Sequence, residues 1–414
     1  MNKLANMKKI FIISEYVNPQ ENSTGYYWFS IVCELSKRFD SLNLICPEKN
    51  KYRSVAEIGG KNNIEIFNDY PNVYLYTVKF SSFNNNMTNR LYKQIILTFY
   101  FTSTILRFVR SGDTLVCGTN PALLILVLPF IKKLIKFKWI LLVHDVFPEN
   151  LVPAKIFHNK NILYFLAKKY FDFSYASANR AIVIGRDMKD LVDKKINCND
   201  RTVFIPNWVN PDDVFPLSKN ESFFIGKLGW ENKIVFQFFG NIGRLQGIDN
   251  LLEAISKVAH ENAAFLFVGD GVMVPRIKKF IDENPSISIV HFGAVSLKDK
   301  NKVLSACDVA LVTLEAGMLG LGVPSKSYFS LAADKPLLVV AESESEVARM
   351  VSENNVGWWC KPDEPDTLAS LIDSICSLDL KDFHGRQRTL IIDKYSEKIA
   401  LNNLSKCISD EIIP

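Results

Sequence analysis

The fold is decided by the stretch Ile234-Val-Phe-Gln-Phe-Phe-Gly-Asn-Ile-Gly-Arg-Leu-Gln-Gly-Ile-Asp-Asn-Leu-Leu-Glu-Ala-Ile-Ser-Lys-Val258. Its first six residues are almost all apolar, which predicts a parallel strand that is covered on both faces. Apolar residues then recur at helical spacing from Leu251 to Ala259, behind Asp249 as a predicted N-cap. The stretch is therefore a strand, a loop and an amphipathic helix.

The loop of this unit contains Gly240, Asn241, Gly243, Arg244 and Gln246. Glycines let a ligand approach the backbone closely, and a loop that leads into a helix N-terminus is a natural seat for a phosphate group. Arg244 adds a fixed positive charge. The alternative is an ordinary strand-loop-helix unit of an α/β protein without a ligand.

Length and charge indicate how the chain is organised. With 414 residues it is too long for one ordinary core, so two domains are expected. Residues 1–205 carry 28 Lys and Arg against 16 Asp and Glu, whereas residues 206–414 carry 21 against 28. A basic first half favours an anionic membrane surface as its partner, because its cations adjoin long apolar stretches and do not alternate with aromatic residues as in nucleic-acid-binding proteins.

Cysteines and the N-terminus bear on the compartment. The eight cysteines are scattered, without a CxxC pair or a histidine at metal spacing, which favours a reducing compartment and argues against structural zinc. The apolar run Ile10–Ile13 is too short for a signal peptide and indicates a first buried strand. Gly25 follows near the start of the next helix, where it either admits a phosphate or sugar or simply makes a turn.

Two apolar runs in the first half bear on membrane binding. Residues 91–110 and 123–138 are helix-like, and polar residues, Pro129 or lysines interrupt each before the roughly 20 residues that a membrane span requires. They are either buried helices of a large α/β domain or helices that insert partly into the headgroup layer, with lysines toward anionic lipid. Both can hold for one helix.

His144 and Asp145 end the apolar strand that begins at Trp139. This places both side chains at the carboxyl edge of the predicted sheet, where open α/β folds bind ligands. Histidine can donate a hydrogen bond to a substrate, and a carboxylate can accept one. In the second half, the loop Glu315–Lys326 has glycines at 317, 320 and 322 and leads into a helix near Ser325. With Lys326 it forms a predicted diphosphate cradle; the alternative is a solvated surface lysine.

The ordered set of motifs resembles retaining family 4 glycosyltransferases, specifically the bacterial branch that builds colanic acid, O-antigen and capsule. The resemblance covers nearly the whole chain. The motifs that carry it are Gly240-Asn-Ile-Gly243 with Gln246-Gly247-Ile248, Gly269-Asp-Gly271, Ala306-Cys-Asp-Val-Ala-Leu-Val312, Gly322-Val-Pro-Ser-Lys326 with Ala332-Ala-Asp-Lys-Pro336, His144-Asp145 with Pro148-Glu149, and Pro206-Asn-Trp-Val-Asn210.

This resemblance implies an α/β GT-B fold, with two Rossmann-like domains that face a cleft. Residues 1–206 would be a membrane-facing acceptor domain, residues 207–389 the nucleotide-sugar donor domain, and residues 390–414 a helix that crosses back to the first domain. The catalytic residues would be His144, Asp145, Arg244 and Lys326, with Glu149 at the acceptor. The donor-binding residues would be Gly25, Gly240, Asn241, Gly243, Gln246, Gly269, Phe292, Gly293, Gly320, Leu321, Gly322 and Ser325, with the base near Phe292 and Gly293.

The implied partners are a nucleotide-diphosphate sugar, with UDP favoured, a polyprenyl-diphosphate-linked saccharide acceptor and an anionic membrane surface, and no nucleic acid. The expected location is the inner face of the cytoplasmic membrane. No cofactor or metal is expected, since no DxD-type site is visible. One position departs from the family pattern: Phe329 stands where many members carry a second glutamate. A nucleotide-sugar 2-epimerase of the same fold and a non-catalytic partner of a polysaccharide assembly complex are the alternatives.

Overall fold

The computed structural model describes residues 8–47, 65–78, 87–159 and 161–412, which contain two parallel sheets. The first sheet has the strand order β3-β2-β1-β4-β5-β6-β7. The chain order reverses between β1 and β4, which opens a crevice at the carboxyl ends of those strands. The strands are β1 Ile10–Ile13, β2 Leu42–Pro47, β3 Val73–Val78, β4 Thr114–Gly118, β5 Lys138–Val143, β6 Arg180–Val183 and β7 Thr202–Phe204.

Within the described ranges, five helices connect the strands of this sheet and flank it. Every side chain of β1, β2 and β4 is buried, as expected when helices cover both faces of a parallel sheet. The two apolar runs of the first half form α2 and α3, which bury one side against the sheet and leave other apolar side chains exposed. The helices are α1 Ser23–Arg38, α2 Met87–Phe108, α3 Ala122–Ile135, α4 Ile162–Ser177 and α5 Arg186–Ile196.

The second sheet has the strand order β10-β9-β8-β11-β12-β13, so its chain order reverses between β8 and β11. The strands are β8 Ile234–Phe239, β9 Ala263–Val268, β10 Ile289–Phe292, β11 Val309–Thr313, β12 Leu337–Val340 and β13 Gly357–Cys360. The helices are α6 Ile225–Leu228, α7 Ile248–Lys257, α8 Val274–Glu283, α9 Lys300–Leu304, α10 Lys326–Ala332, α11 Glu346–Asn354 and α12 Pro365–Cys376. The opening stretch therefore forms β8 and α7, the unit at which this sheet reverses.

Asp249 does not cap α7. The chain enters the helix through Gly247, whose φ is 55°, so Gly247 occupies the N-cap position and Asp249 lies in the first turn. There its carboxylate accepts a hydrogen bond from Arg276 Nε at 2.8 Å. The glycine is required because an added Cβ would lie 2.8 Å from the carbonyl oxygen of Leu314.

The end of the chain forms two helices, α13 Arg386–Lys394 and α14 Glu397–Ile412, where a single crossing helix was predicted. Leu401, Leu404 and Ile408 of α14 join the apolar core of the first domain. Ser30 Oγ of α1 donates a hydrogen bond to Glu397 Oε1 at 2.5 Å. The last helix is thus packed on the first domain. Among the described helices, none is long and apolar enough to cross a membrane.

Candidate functional site

A cleft of about 550 Å³ lies between the two domains, at the carboxyl ends of both sheets. Loops after β8, β9, β10 and β11 line it on one side, and the start of α1 with the end of β5 lines it on the other. Parallel α/β sheets bind ligands at this edge, near the point where strand order reverses. The predicted site residues that line the cleft are His144, Asp145, Gly240, Asn241, Gln246, Gly269, Gly322, Ser325 and Lys326.

His144 and Asp145 follow β5 and form the wall from the first domain. The His144 ring packs near those of Tyr27 and Trp28, at centroid distances of 6.4 and 6.2 Å. Burial lowers the pKa of His144 to about 4, so the imidazole is neutral at pH 7. Burial also raises the pKa of Asp145 to about 6. The wall thus presents a neutral imidazole beside a carboxylate that titrates in a mildly acidic range.

Lys326 is the cation of the opposite wall, and it is the first residue of α10. Its Nζ donates to Gln246 Oε1 at 3.2 Å and lies 3.2 Å from the centroid of the Phe238 ring. Burial lowers the pKa of Lys326 well below its usual value, and among the described residues no carboxylate opposes this shift. A half-buried ammonium group without an anionic partner is a strong candidate for binding a phosphate group.

Gly240 and Gly269 form the floor of the second-domain wall. Gly269 has a φ of 145°, and an added Cβ would lie only 1.8 Å from the carbonyl oxygen of Gly240. No other residue type can occupy that position without moving the β8 loop. Both glycines therefore bring two strand-end loops together, and Asn241 extends from one of them as an exposed lining residue.

The loop between β11 and α10 runs along the domain interface. Gly322 pairs with Asp145 in an isolated antiparallel bridge, and Val146 N donates to Leu321 O at 3.1 Å. Gly320 N donates to Asp187 Oδ2 at 3.0 Å. Gly320 and Leu321 therefore contact the first domain outside the cleft lining, while Gly322 lies on the cleft. The predicted diphosphate loop is held by both domains.

Phe292 and Gly293, the predicted seat of the base, lie beside the lining. Phe292 O accepts from Gly269 N at 3.0 Å, and its ring packs on Phe224 at 4.5 Å between centroids. The cleft is lined instead by the residues directly after them, 294–296. The strand end was predicted at the right place, but the chain continues for one to three further residues before it faces the cleft.

Gly25 also lies beside the lining. Its amide donates to Asn22 Oδ1 at 2.8 Å, in the first turn of α1. An added Cβ would lie 2.1 Å from the carbonyl oxygen of Asn18, so this glycine lets the preceding loop fold onto the helix. The loop and helix start then carry Asn22, Ser23 and Tyr26 into the cleft. Gly25 thus shapes the site indirectly.

Three further predicted residues lie outside the cleft lining. Arg244 and Gly243 belong to the turn between Gly240 and Gly247, and the Arg244 side chain is exposed to solvent. Glu149 forms ion pairs with Lys168 at 2.8 Å and with Lys195 at 2.7 Å. Glu149 is thus paired with lysines of α4 and α5, and it is absent from the cleft lining that contains His144 and Asp145.

Sequence reasoning assigned no site role to three neighbouring residues of the cleft lining, Tyr26, Lys300 and Phe329. Tyr26 packs edge-on against Phe329, with centroids 5.4 Å apart, and Lys300 Nζ lies 6.0 Å from the Tyr26 ring centroid. Burial lowers the pKa of Lys300. Phe329 was singled out only as a departure from the family pattern; here it forms part of an aromatic wall. Lys300 begins α9 after β10, and a lysine at this helix start was the one available signal.

Two doubly wound parallel domains with a cleft between their strand ends define the GT-B class of fold. The family model for glycosyl transferases group 1 matches residues 220–389, which contain β8 to β13. The chain is 45% identical over 403 residues to "Probable glycosyltransferase WbjE" of Pseudomonas aeruginosa, covering 97% of this chain and 98% of that protein. The chain therefore belongs to the group 1 glycosyltransferases.

Two more distant similarities accompany this match. The chain is 26% identical over 175 residues to "Putative colanic acid biosynthesis glycosyl transferase WcaI" of Escherichia coli K12, covering 40% of this chain and 42% of that protein. The solved structure of Anabaena Alr3699/HepE in complex with UDP and glucose aligns with a TM-score of 0.69 at 13% identity. That alignment covers 98% of this chain and 100% of the other, and it shows a shared GT-B fold.

Proposed function

We propose that the protein transfers a hexose or N-acetylhexosamine, with retention of configuration, from a nucleotide-diphosphate sugar to a polyprenyl-diphosphate-linked saccharide. The product would be an intermediate of a bacterial surface polysaccharide, such as O-antigen or capsule. The match to the protein described as a colanic acid biosynthesis enzyme supports this class of product. The structure of Anabaena HepE, which shares the fold and was solved with UDP and glucose, supports a nucleotide-sugar donor.

The observation that carries the proposal is the cation of the second-domain wall. The ammonium group of Lys326 lies half-buried on the cleft, its pKa is lowered by burial, and the described residues offer it no carboxylate. A diphosphate in the cleft would provide the missing negative charge. The proposed diphosphate seat is Lys326 with Gln246, the backbone of Gly240 and Gly322, and Ser325. Arg244 stays a predicted ligand from the adjoining turn.

The proposed reaction exchanges one glycosidic bond for another. The bond between sugar C1 and the diphosphate oxygen breaks, the acceptor hydroxyl forms a bond to C1 on the same face, and its proton passes to the departing diphosphate. Negative charge grows on the diphosphate, and one aligned donor such as Lys326 can contribute roughly 3–4 kcal/mol to transition-state stabilisation. His144 and Asp145 would hydrogen-bond sugar or acceptor hydroxyls from the opposite wall.

UDP is the favoured nucleotide of the donor. The structure of Anabaena HepE, which shares the fold, was solved with UDP and glucose, and this supports UDP as the nucleotide to test first for this chain. The wall formed by Tyr26 and Phe329 is aromatic and lacks the carboxylate of many family members. This wall would accept an apolar face of the sugar or nucleoside, so the preference among donors should differ from that of carboxylate-containing relatives.

The acceptor is proposed to lie at a membrane, because the first domain exposes an apolar face. We define this face as the exposed apolar side chains of α2, α3 and α4. They are Leu91, Tyr92, Ile95, Phe99, Tyr100 and Leu106 on α2, Phe130 and Leu134 on α3, and Ile162, Leu163, Phe165, Leu166, Tyr170 and Phe173 on α4. Contiguous exposed apolar surface of this kind marks an interaction site.

Charge favours an anionic lipid surface as the partner of the apolar face. Helices α2 and α3 contain no Asp or Glu, and the single acid of α4, Asp172, is paired with Lys168 and Lys195. The exposed cations on or next to these helices are Arg107, Arg110, Lys133, Lys136 and Lys169. Interfacial helices combine apolar side chains with lysines and arginines in this way, which supports the proposed peripheral location at the inner membrane face.

The proposal is tested by a thermal-shift screen of UDP, GDP, dTDP, ADP and their common sugars, because a ligand of the native state raises the melting temperature. Turnover is then measured with the stabilising sugar nucleotide and a synthetic polyprenyl-diphosphate saccharide, with and without EDTA. We expect transfer that EDTA leaves unchanged. An epimerised sugar nucleotide formed without acceptor would identify an epimerase, and failure of every sugar nucleotide to bind would favour the non-catalytic role.

A further inference from the structure

The first turns of α5 and α11, one from each domain, meet at the domain interface. Helix α5 begins at Arg186 after Gly185, which has no side chain to cap it. The cap comes from the other domain: the Glu346 carboxylate accepts from Arg186 N at 2.9 Å and from Arg186 Nε at 2.8 Å. A carboxylate at a helix N-terminus satisfies a free amide and the helix dipole.

The capping is reciprocal. The Asp187 carboxylate on α5 accepts from the backbone N–H of Glu346, the first residue of α11. It also accepts from Gly320 N at 3.0 Å and from Met188 N at 2.9 Å. Asp187 is 7% exposed and Glu346 is 1% exposed. Each domain thus supplies a buried carboxylate to a helix start of the other.

The packing around these caps is close. An added Cβ at Gly185 would lie 2.9 Å from Val323 Cγ2 and 3.3 Å from Glu346 Cβ, so the glycine is what allows the two domains to meet here. Arg186 further pairs through Nη1 with Glu353 at 2.9 Å. We call the contacts of Arg186 and Asp187 with Gly320, Glu346 and Glu353 the interdomain latch.

The polar chemistry of the latch suits a contact that opens and closes. If the domains separate, both carboxylates and the amides they accept from become hydrated, so most of each hydrogen bond is replaced by one to water. An apolar seam of the same area would lose more on opening. Interfaces between domains of one chain commonly permit such motion.

The latch is connected to the candidate site through the backbone amide of Gly320, which donates to Asp187. Gly320 lies in the loop that continues through Gly322 and Ser325, both on the cleft, to Lys326. The same loop contacts Asp145 through the Gly322 bridge. We propose that Asp187 and Glu346 are positioning residues for glycosyl transfer, because their reciprocal caps fix this loop so that Lys326 faces His144 and Asp145. The inference rests on the function proposed above.

Hydrogen exchange measured by mass spectrometry tests the latch without any ligand. Asp187→Asn keeps the size of the side chain but leaves one acceptor oxygen for three N–H groups. We expect amide exchange across residues 315–326 to accelerate about tenfold, since loss of a hydrogen bond to a charged group lowers the local opening free energy. Glu346→Gln should act in the same direction. Arg276→Ala, which breaks an exposed ion pair within the second domain, is the matched control and should leave this loop unchanged.

Kinetics separate positioning from a merely structural role. In Asp187→Asn at saturating donor, we expect kcat to fall about tenfold while the donor KM changes less than about threefold, because a displaced loop weakens stabilisation of the transition state more than substrate binding. Unchanged exchange in Asp187→Asn overturns the latch, whether or not nucleotide binds. Faster exchange with unchanged kcat overturns the link to transfer. A wild-type protein that binds no nucleotide overturns the proposed function, and the exchange result then decides the latch alone.

Discussion

The two domains repeat one topology but present different outer surfaces. In the first domain, helices α2, α3 and α4 expose large apolar side chains, such as Phe99 at 69% and Leu134 at 74%. In the second domain, helices α7 and α8 expose charged pairs, such as Lys257 with Glu253 and Lys279 with Glu283. The two sheets have the same type of strand order, and helices flank both of them. The domains therefore differ in the exposed side chains of their outer helices, which do not determine the fold.

The same contrast holds inside the cleft. The first-domain wall presents the imidazole of His144 and the carboxylate of Asp145, and the second-domain wall presents the amine of Lys326. Burial favours the neutral form of all three groups, so the positive charge of Lys326 is one that a bound anion would stabilise. Under the proposed function, the first doubly wound domain would supply a membrane face and a hydroxyl-binding wall, and the second would supply a phosphate-binding wall. Substitutions in one cleft wall or one outer surface test each of these proposed roles separately.

The largest expected effect is on the second-domain wall. Lys326→Ala should reduce kcat/KM several hundredfold, because a preorganised donor to the developing diphosphate charge contributes roughly 3–4 kcal/mol. Steady-state transfer from the sugar nucleotide identified in the thermal-shift screen measures this.

Lys279→Ala, on the exposed face of α8, is the matched loss of one lysine and should keep wild-type kcat/KM. Circular dichroism of both variants checks that they are folded. Wild-type turnover by a folded Lys326→Ala variant would remove the phosphate-binding role from this wall.

The sequence allowed much of this arrangement to be predicted. The apolar run from Ile234 to Phe239 and the glycines after it predicted a buried strand that ends in a tight loop. In the structure Gly240 has a φ of 119°, and an added Cβ at Gly269 would clash with the Gly240 carbonyl oxygen. His144 and Lys326 were predicted at strand and helix ends, and the structure places both on one cleft. Such predictions succeed where backbone conformation alone determines the location of a residue.

Predictions were weaker where the direction of a side chain matters. Arg244 was assigned to the diphosphate, but its turn leaves the side chain in solvent. Glu149 was assigned to the acceptor, but Lys168 and Lys195, distant along the chain, form ion pairs with it. Tyr26 enters the cleft only because Gly25 accommodates Asn18. Tertiary contacts of this kind leave no periodic signal in a single sequence.

The next largest effect should be on the apolar face. A Phe99→Ser, Leu134→Ser double variant should bind vesicles that contain anionic phosphatidylglycerol roughly thirtyfold more weakly, since each lost side chain withdraws about 1 kcal/mol of apolar burial from the lipid interface. Co-sedimentation with these vesicles and with neutral phosphatidylcholine vesicles measures this.

The control is a Phe223→Ser, Leu378→Ser double variant, which removes two exposed apolar side chains from the second domain. It should bind the vesicles as the wild-type protein does. Equal losses for both double variants, or wild-type binding that is the same for neutral and anionic vesicles, would contradict a membrane face confined to the first domain.

A smaller effect concerns the stability of the first-domain wall at different pH values. His144 has a folded pKa near 4, below its usual 6.5, so its contribution to stability falls as pH drops through this window. Asp145 has a folded pKa near 6, above its usual 3.8, so its contribution rises as pH drops. In the wild-type protein the two opposing contributions largely cancel between pH 4 and pH 6.

Asp145→Asn leaves the His144 contribution unopposed. Relative to the wild-type protein, its free energy of unfolding should therefore decline by roughly 1 kcal/mol per pH unit as pH falls from 6 to 4. Urea unfolding at pH 4.5, 5.5 and 6.5 measures the slope. Asp190→Asn, an exposed acid of the same domain, is the control. Parallel slopes for wild type and Asp145→Asn would show that the two groups do not titrate as an opposed pair.

The smallest effect is expected on the outer surface of the second domain. Arg276 and Asp249 are too exposed for their 2.8 Å ion pair to contribute much, so the test variant is Arg276→Ala with Asp249 left intact. The free energy of unfolding should change by less than about 1 kcal/mol, because water and salt screen exposed charges. Chemical unfolding measures this, and vesicle binding should also stay unchanged. A larger loss of stability would show that the exposed ion pairs contribute substantially to folding of this domain. We expect instead that these charged side chains mainly keep the outer surface of its helices hydrated.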